Sequence, residues 1–200
     1  MKIFLCRHGE TTGDVEDRYG GFYNDSLSKK GFKQASELGE KLSGLNIQLV
    51  IHSPLIRAKE TAIIVAKKLG VETKEKLELC ERNHYGLLTG MKKSDALKKF
   101  PTEVMKFKID PLRPNVIGGE DYEVFKKRVI DIFLHIRGRN HHDKVAVITH
   151  GGPIKCIVRE ILKLGEIKQI NDCAILEIES NLGKVKLVSI DGAELESNKN

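Results

Sequence analysis

Two apolar runs in this chain end in the same way. Residues 3–6 are followed by Arg7-His8-Gly9, and residues 145–149 by His150-Gly151-Gly152. A short apolar run bounded by polar, glycine-bearing sequence reads as a buried strand. In an open α/β sheet, ligands collect beyond the carboxyl ends of the strands. Two strands that each deliver a histidine and a glycine to that edge constrain the fold strongly, because the two imidazoles acquire a shared purpose only if they face one another.

The sequence between them alternates strands and helices. Ser28 reads as the N-cap of a helix carrying Phe32, Ala35, Leu38 and Leu42 on one face and closed by Gly44. Residues 47–52 form a second strand. Ser53-Pro54 then caps and opens a helix with Ala58, Ala62, Val65, Ala66 and Leu69, ended by Gly70. Residues 71–77 have alternating strand character, residues 80–91 read as loop, and two short helices follow over 94–100 and 102–109. After a loop over 111–119, residues 121–137 form an amphipathic helix with Tyr122, Phe125, Val129, Ile132, Phe133 and Ile136 on one face. The strand at 145–149 leads into a helix over 153–164, and residues 173–178 and 185–190 flank Asn181-Leu182-Gly183 as a hairpin. These elements predict an α/β three-layer sandwich, a mostly parallel sheet flanked by helices. One domain spans 1–200, with residues of about 80–120 as a small helical lid.

Composition narrows the function. The charge of +6, from 34 basic and 28 acidic residues, favours anionic partners weakly. No basic stretch is interleaved with aromatics and tryptophan is absent, which argues against nucleic acid. No apolar run reaches membrane-spanning length, and Met-Lys-Ile-Phe-Leu-Cys-Arg-His turns polar too early for a signal peptide, so a cytoplasmic setting is expected. Cys6, Cys80, Cys156 and Cys173 have no metal-type spacing and read as free, buried thiols. Cys6 before Arg7 is not a cysteine-phosphatase nucleophile, because His8-Gly9-Glu10 provides no cradle of backbone amides. The terminal hairpin offers an edge through which two copies could pair as a homodimer.

Arg7-His8-Gly9, Arg57, Glu81 and His150-Gly151-Gly152 together suit a phosphoryl group. Such a group in transfer spreads negative charge over three oxygens, and guanidinium forks bind two of them at once and stay charged. A neutral imidazole can serve as nucleophile, and a protonated carboxyl can supply a proton to the leaving group. The residues alone leave open which histidine attacks.

These blocks resemble the histidine phosphatase superfamily, the phosphoglycerate-mutase-like proteins. Arg7-His8-Gly9-Glu10-Thr11, Ser53-Pro54-Leu55-Ile56-Arg57-Ala58, Gly118-Gly119-Glu120 and Thr149-His150-Gly151-Gly152 carry the resemblance. It implies that His8 is the phosphorylated nucleophile, that Arg7, Arg57 and His150 form the phosphate pocket, and that Glu81 is the proton donor. It further implies no metal and no cofactor. Asp14, Gly20, Gly21, Tyr85, Lys93 and Gly151 are the candidate substrate contacts.

The resemblance extends to mutases as well as phosphatases. Glu81-Arg82-Asn83-His84-Tyr85-Gly86 is similar to the mutase version with one extra residue, Asn83. Three features favour hydrolysis: the short basic segment 106–114 with its single Arg113, the His-Gly-Gly form at 150–152, and Asp14, whose carboxylate repels a doubly charged substrate. The expected activity is hydrolysis of small phosphorylated metabolites, with phosphoglycerate mutase or a non-catalytic phospho-ligand binder as the alternatives. His52, His84, His135 and the pair His141-His142 are read as packing or surface residues, and Gly86 and Gly90 as ordinary turn residues.

Overall fold

A computed structural model describes residues 1–110, 114, 116–139, 142–181 and 183–196. The strands are β1 (Lys2–Arg7), β2 (Leu49–His52), β3 (Glu72–Glu75), β4 (Lys144–Thr149), β5 (Ile167–Asn181) and β6 (Lys184–Leu195). They form one sheet in the order β3-β2-β4-β1-β5-β6. The first four run parallel, while β5 lies antiparallel to β1 and β6 antiparallel to β5. The helices are α1 (Thr12–Val15), α2 (Lys29–Leu42), α3 (Ile56–Leu69), α4 (Lys93–Lys99), α5 (Pro101–Ile109), α6 (Tyr122–Arg139) and α7 (Gly151–Glu160).

Strand periodicity builds the three layers. Ile3, Leu5, Leu49, Ile51, Val145 and Val147 pack on one face of the sheet with Phe125, Val129, Ile132 and Phe133 of α6 and Ile154 and Ile157 of α7. The alternate residues Phe4, Cys6, Val50, Ala146 and Ile148 pack on the other face with Leu38 and Leu42 of α2 and Ala58, Ala62 and Val65 of α3. Both faces of β1, β2 and β4 are therefore buried, which accounts for their largely apolar sequence. A smaller cluster of Leu88, Ala96 and Val116, with Tyr19, Tyr85, Met91 and Phe107 against it, forms the lid anticipated between residues 80 and 120.

Several elements differ from the sequence expectation. Phe32 is 46% exposed, so the buried face of α2 rests on Ala35, Leu38 and Leu42 without it. Ser53 does not cap α3; the helix starts at Ile56 behind Leu55, and no side chain caps it. Helix α7 begins at Gly151, immediately after His150. Strand β3 is exposed along its whole length at the sheet edge. The terminal hairpin is far longer than expected, and its register shifts between Ile170 and Ile175, where Cys173 adopts φ +55°. Cys6, Cys80 and Cys156 are buried free thiols, whereas Cys173 is only half-buried. Arg113, His141 and Leu182 lie outside the described residues.

Candidate active site

Strand pairing brings the two histidines together. Arg7 of β1 pairs in register with Thr149 of β4, so His8 and His150 each stand one residue beyond a matched pair. The His8 N–H donates to the Thr149 carbonyl at 3.0 Å, and the ring centroids lie 5.0 Å apart. Arg57, from the first turn of α3, completes the group. Its Nε–H points between the rings, 3.2 Å from His8 Nε2 and 3.3 Å from His150 Nδ1.

The hydrogen bonds fix both tautomers. His8 Nδ1 lies 2.7 Å from the Gly9 carbonyl, which can only accept, so Nδ1 carries the proton and Nε2 the lone pair. His150 Nδ1 accepts from Arg57, leaving Nε2–H to donate to Ser53 Oγ at 2.8 Å. His8 lines the cavity of about 200 Å³ at this site, together with Arg7 and Arg57. His150 is fully buried and lines neither that cavity nor the larger one beside it. Burial, followed by the charges of Arg57 and Arg7, holds the His8 pKa well below the usual imidazole range. His150 is lowered in the same way, by burial first, then by Arg57 and the neighbouring His8. Both rings are therefore neutral near pH 7.

The guanidiniums are held from outside the motif. Arg57 Nη1 donates to Asp25 Oδ1 at 2.9 Å and to the Tyr23 carbonyl at 2.6 Å, and its Nη2 donates to the Gly21 carbonyl at 2.8 Å. The Arg57–Asp25 pair is almost wholly buried. Arg7 Nη1 donates to the Ile170 carbonyl at 2.8 Å and lies 3.3 Å from Asp172, while Cys173 N–H donates to the His8 carbonyl. The irregular stretch of β5 thus meets both Arg7 and His8, a common use of a bulge. Burial raises the Asp172 pKa. Arg7 Nε is the buried side-chain nitrogen that finds no acceptor among the described residues.

Glu81 enters from the opposite side on an irregular loop. Its Oε2 accepts the Gly152 N–H at 3.0 Å, at the amino end of α7, and its Oε1 accepts the Arg82 N–H at 2.7 Å. A Cβ at residue 152 would lie 2.0 Å from Glu81 Oε1, so only glycine fits there beside the carboxylate. Arg128 of α6 fastens the loop by donating to the carbonyls of Glu78, Cys80 and Glu81 and to both oxygens of Glu120. The extra residue Asn83 exchanges main-chain contacts with Glu120, giving its N–H to Glu120 Oε2 and accepting the Glu120 N–H. The insertion therefore docks onto the Gly118-Gly119-Glu120 block and leaves Glu81 in place.

Asp14, Gly20, Gly21, Tyr85 and Lys93 all line the smaller cavity, and Gly151 lines the larger one. Asp14 is the partner of Thr11 in a capping box, and Lys93 is paired with Asp17 at 2.5 Å. Gly86 is more than a turn residue, since a Cβ there would lie 2.2 Å from the Ile117 carbonyl. The residues missed from sequence are Ser53, Asp25, Asp172, Arg128, Gly152 as a docking point, and His84. His84 packs against Tyr85 with centroids 3.9 Å apart and the rings tilted by 36°, and it lines both cavities.

The sequence model of the histidine phosphatase superfamily (branch 1) matches residues 3–191. The chain belongs to that superfamily. A metal-independent phosphoserine phosphatase of Arabidopsis thaliana is 30% identical over 179 residues, spanning 87% of this chain and 74% of that protein. A 2,3-bisphosphoglycerate-dependent phosphoglycerate mutase of Parvibaculum lavamentivorans is 29% identical over 178 residues, spanning 82% of this chain and 81% of that protein. The α-ribazole phosphatase structure from Shigella flexneri superposes with a TM-score of 0.85 at 21% identity, covering 99% of this chain and 100% of that one. This histidine phosphatase superfamily member shares the fold of that structure. No helix among its described residues is long and apolar enough to cross a membrane.

Proposed function

We propose that this superfamily member hydrolyses phosphomonoesters of small metabolites through a phosphohistidine on His8, without a metal. Arg57 and Arg7 bind the phosphoryl oxygens, with the unpartnered Arg7 Nε as one donor. The His8 Nε2 lone pair attacks phosphorus, the bond to the leaving oxygen breaks, and Glu81 delivers a proton to that oxygen. Water then attacks the phosphohistidine, Glu81 takes a proton from it, and inorganic phosphate departs with His8 regenerated. Neutral His150 donates to Ser53 and packs against the nucleophile, so it adds no proton to the site that would compete for the His8 lone pair. The observation that carries the choice of His8 is that it alone of the two rings lines the cavity, with its Nδ1 proton held by the Gly9 carbonyl and its lone pair on Nε2.

Hydrolysis is favoured over phosphoryl exchange by the His-Gly-Gly form at residues 150–152. Phosphoserine, named for the Arabidopsis relative, is the first natural ester to assay. The test is turnover of para-nitrophenyl phosphate in a metal chelator, with rapid acid-free quench and mapping of labelled phosphate. Label on His8 and chelator-resistant release of phosphate are expected. Isomerisation of 3-phosphoglycerate with a trace of the 2,3-bisphosphate, without phosphate release, overturns hydrolysis in favour of the mutase reaction. Absence of both turnover and label makes the protein a phospho-ligand binder.

A further inference from the structure

Beyond Arg7, His8 and Glu81 the clamp opens into a second cavity of about 710 Å³, which those three residues also line. The smaller cavity, about 200 Å³, holds Arg57 and the phosphate end. Most charged side chains in the larger one are already engaged. Arg159 is bound to Glu160 and Glu166, Lys168 to Glu194, and Arg82 to the Glu120 carbonyl. Among the described residues lining it, Lys155 and Glu196 are the two charged side chains with neither an ion pair nor a side-chain hydrogen bond.

Lys155 has a defined relation to the chemistry. It lies on α7 four residues after Gly151 and three after Gly152, so all three share one helix face. Gly152 holds the carboxylate of Glu81. The backbone of Lys155 therefore lies three residues, about 4.5 Å along the helix axis, beyond the residue that docks Glu81, and its side chain lines the same cavity as Glu81. Half-buried and lining the cavity, Lys155 is a donor with no acceptor among the described residues.

We infer that Lys155 is a specificity residue that reads an anionic group on the leaving half of the substrate, a carboxylate or a second phosphate a few bonds from the scissile oxygen. This rests on the phosphatase reading above and adds to it the class of ester preferred. A flexible lysine suits both groups, because it binds as a point charge and imposes no planar geometry.

The test uses matched esters with wild type, K155Q and K155R. 3-Phosphoglycerate against glycerol 3-phosphate isolates a carboxylate; fructose 1,6-bisphosphate against fructose 6-phosphate isolates a second phosphate. Para-nitrophenyl phosphate reports the clamp alone. K155Q is expected to lower kcat/KM about tenfold on the anionic member of one pair, the order of one charge-assisted contact. The neutral member and the aryl ester should stay within about twofold, and K155R should keep most of the preference. The pair that responds identifies carboxylate or phosphate. E196Q removes the other unpaired charge; if it improves the anionic esters as much as K155Q harms them, the effect is general charge and Lys155 reads nothing. Equal losses on both members of each pair, or no loss, also overturn the inference. A wild type inert to para-nitrophenyl phosphate would instead sink the phosphatase reading itself.

Discussion

The phosphate side and the proton-donor side of this site are built by different means. His8 and His150 sit at the ends of adjacent parallel strands, where ladder register alone sets their separation. Glu81 sits on a loop that has no regular structure and is fixed by side chains from α6 and by one backbone amide of α7. Sheet geometry thus positions the proposed nucleophile cheaply, whereas the proposed acid depends on tertiary contacts that can fail one by one. Sites on regular elements hold their geometry better than sites on loops, and the two halves should respond to mutation accordingly.

The largest effect tests the strand side. H8A should abolish the phosphoenzyme and cost roughly 10⁴-fold or more in kcat; residual labelling would move the nucleophile elsewhere. On the loop side, E81Q should cost roughly 10²–10⁴-fold on alkyl phosphates but little on para-nitrophenyl phosphate, whose leaving group needs no proton. Equal losses on both esters would remove Glu81 from the acid role.

The docking of that acid can be broken without touching it. G152A inserts a methyl 2.0 Å from Glu81 Oε1 and should cost roughly 10²-fold on alkyl phosphates through misplacement. In an E81Q background the same change should add almost nothing, since the two act on one contact. Additive losses would mean that Gly152 serves α7 alone. D25A leaves Arg57 buried without its carboxylate and should cost about 3–5 kcal/mol of stability, read by denaturant melts. A cost under about 1 kcal/mol would show that the Gly21 and Tyr23 carbonyls suffice.

The smallest effect concerns pH. In the unfolded chain histidine takes up a proton from about pH 6.5 downward, while folded His8 and His150 resist it. The unfolded state therefore binds more protons as pH falls through this window, and stability declines from pH 7 toward pH 5. Melting temperature should follow, and H150N should flatten the slope. A slope unchanged in H150N would show that other groups govern it.

Sequence legibility divides along the same line. Arg7, His8, His150 and the parallel strands were readable because period, apolar runs and strand-end placement are local signals. Arg57 and Glu81 can be picked out by their chemistry, but their separate roles come only from the family resemblance, since nothing local says that an early helix residue or a loop acid faces inward. Asp25, Ser53, Asp172 and Arg128 were invisible, because each acts on a residue at least 32 positions away in the chain. The first half of β5 was missed for a different reason: Lys168, Gln169, Asn171 and Asp172 interrupt its apolar pattern at the very bulge that touches Arg7.

Arg57 gives three of its terminal N–H groups to Gly21, Tyr23 and Asp25, in the segment that also walls the cavity, and points its Nε–H at both imidazoles, which leaves one Nη2–H for a ligand. In the proposed mechanism one guanidinium therefore couples the wall of the cavity to the attacking imidazole, so that a substitution at residues 21–25 which admits a new ester also shifts the setting of His8.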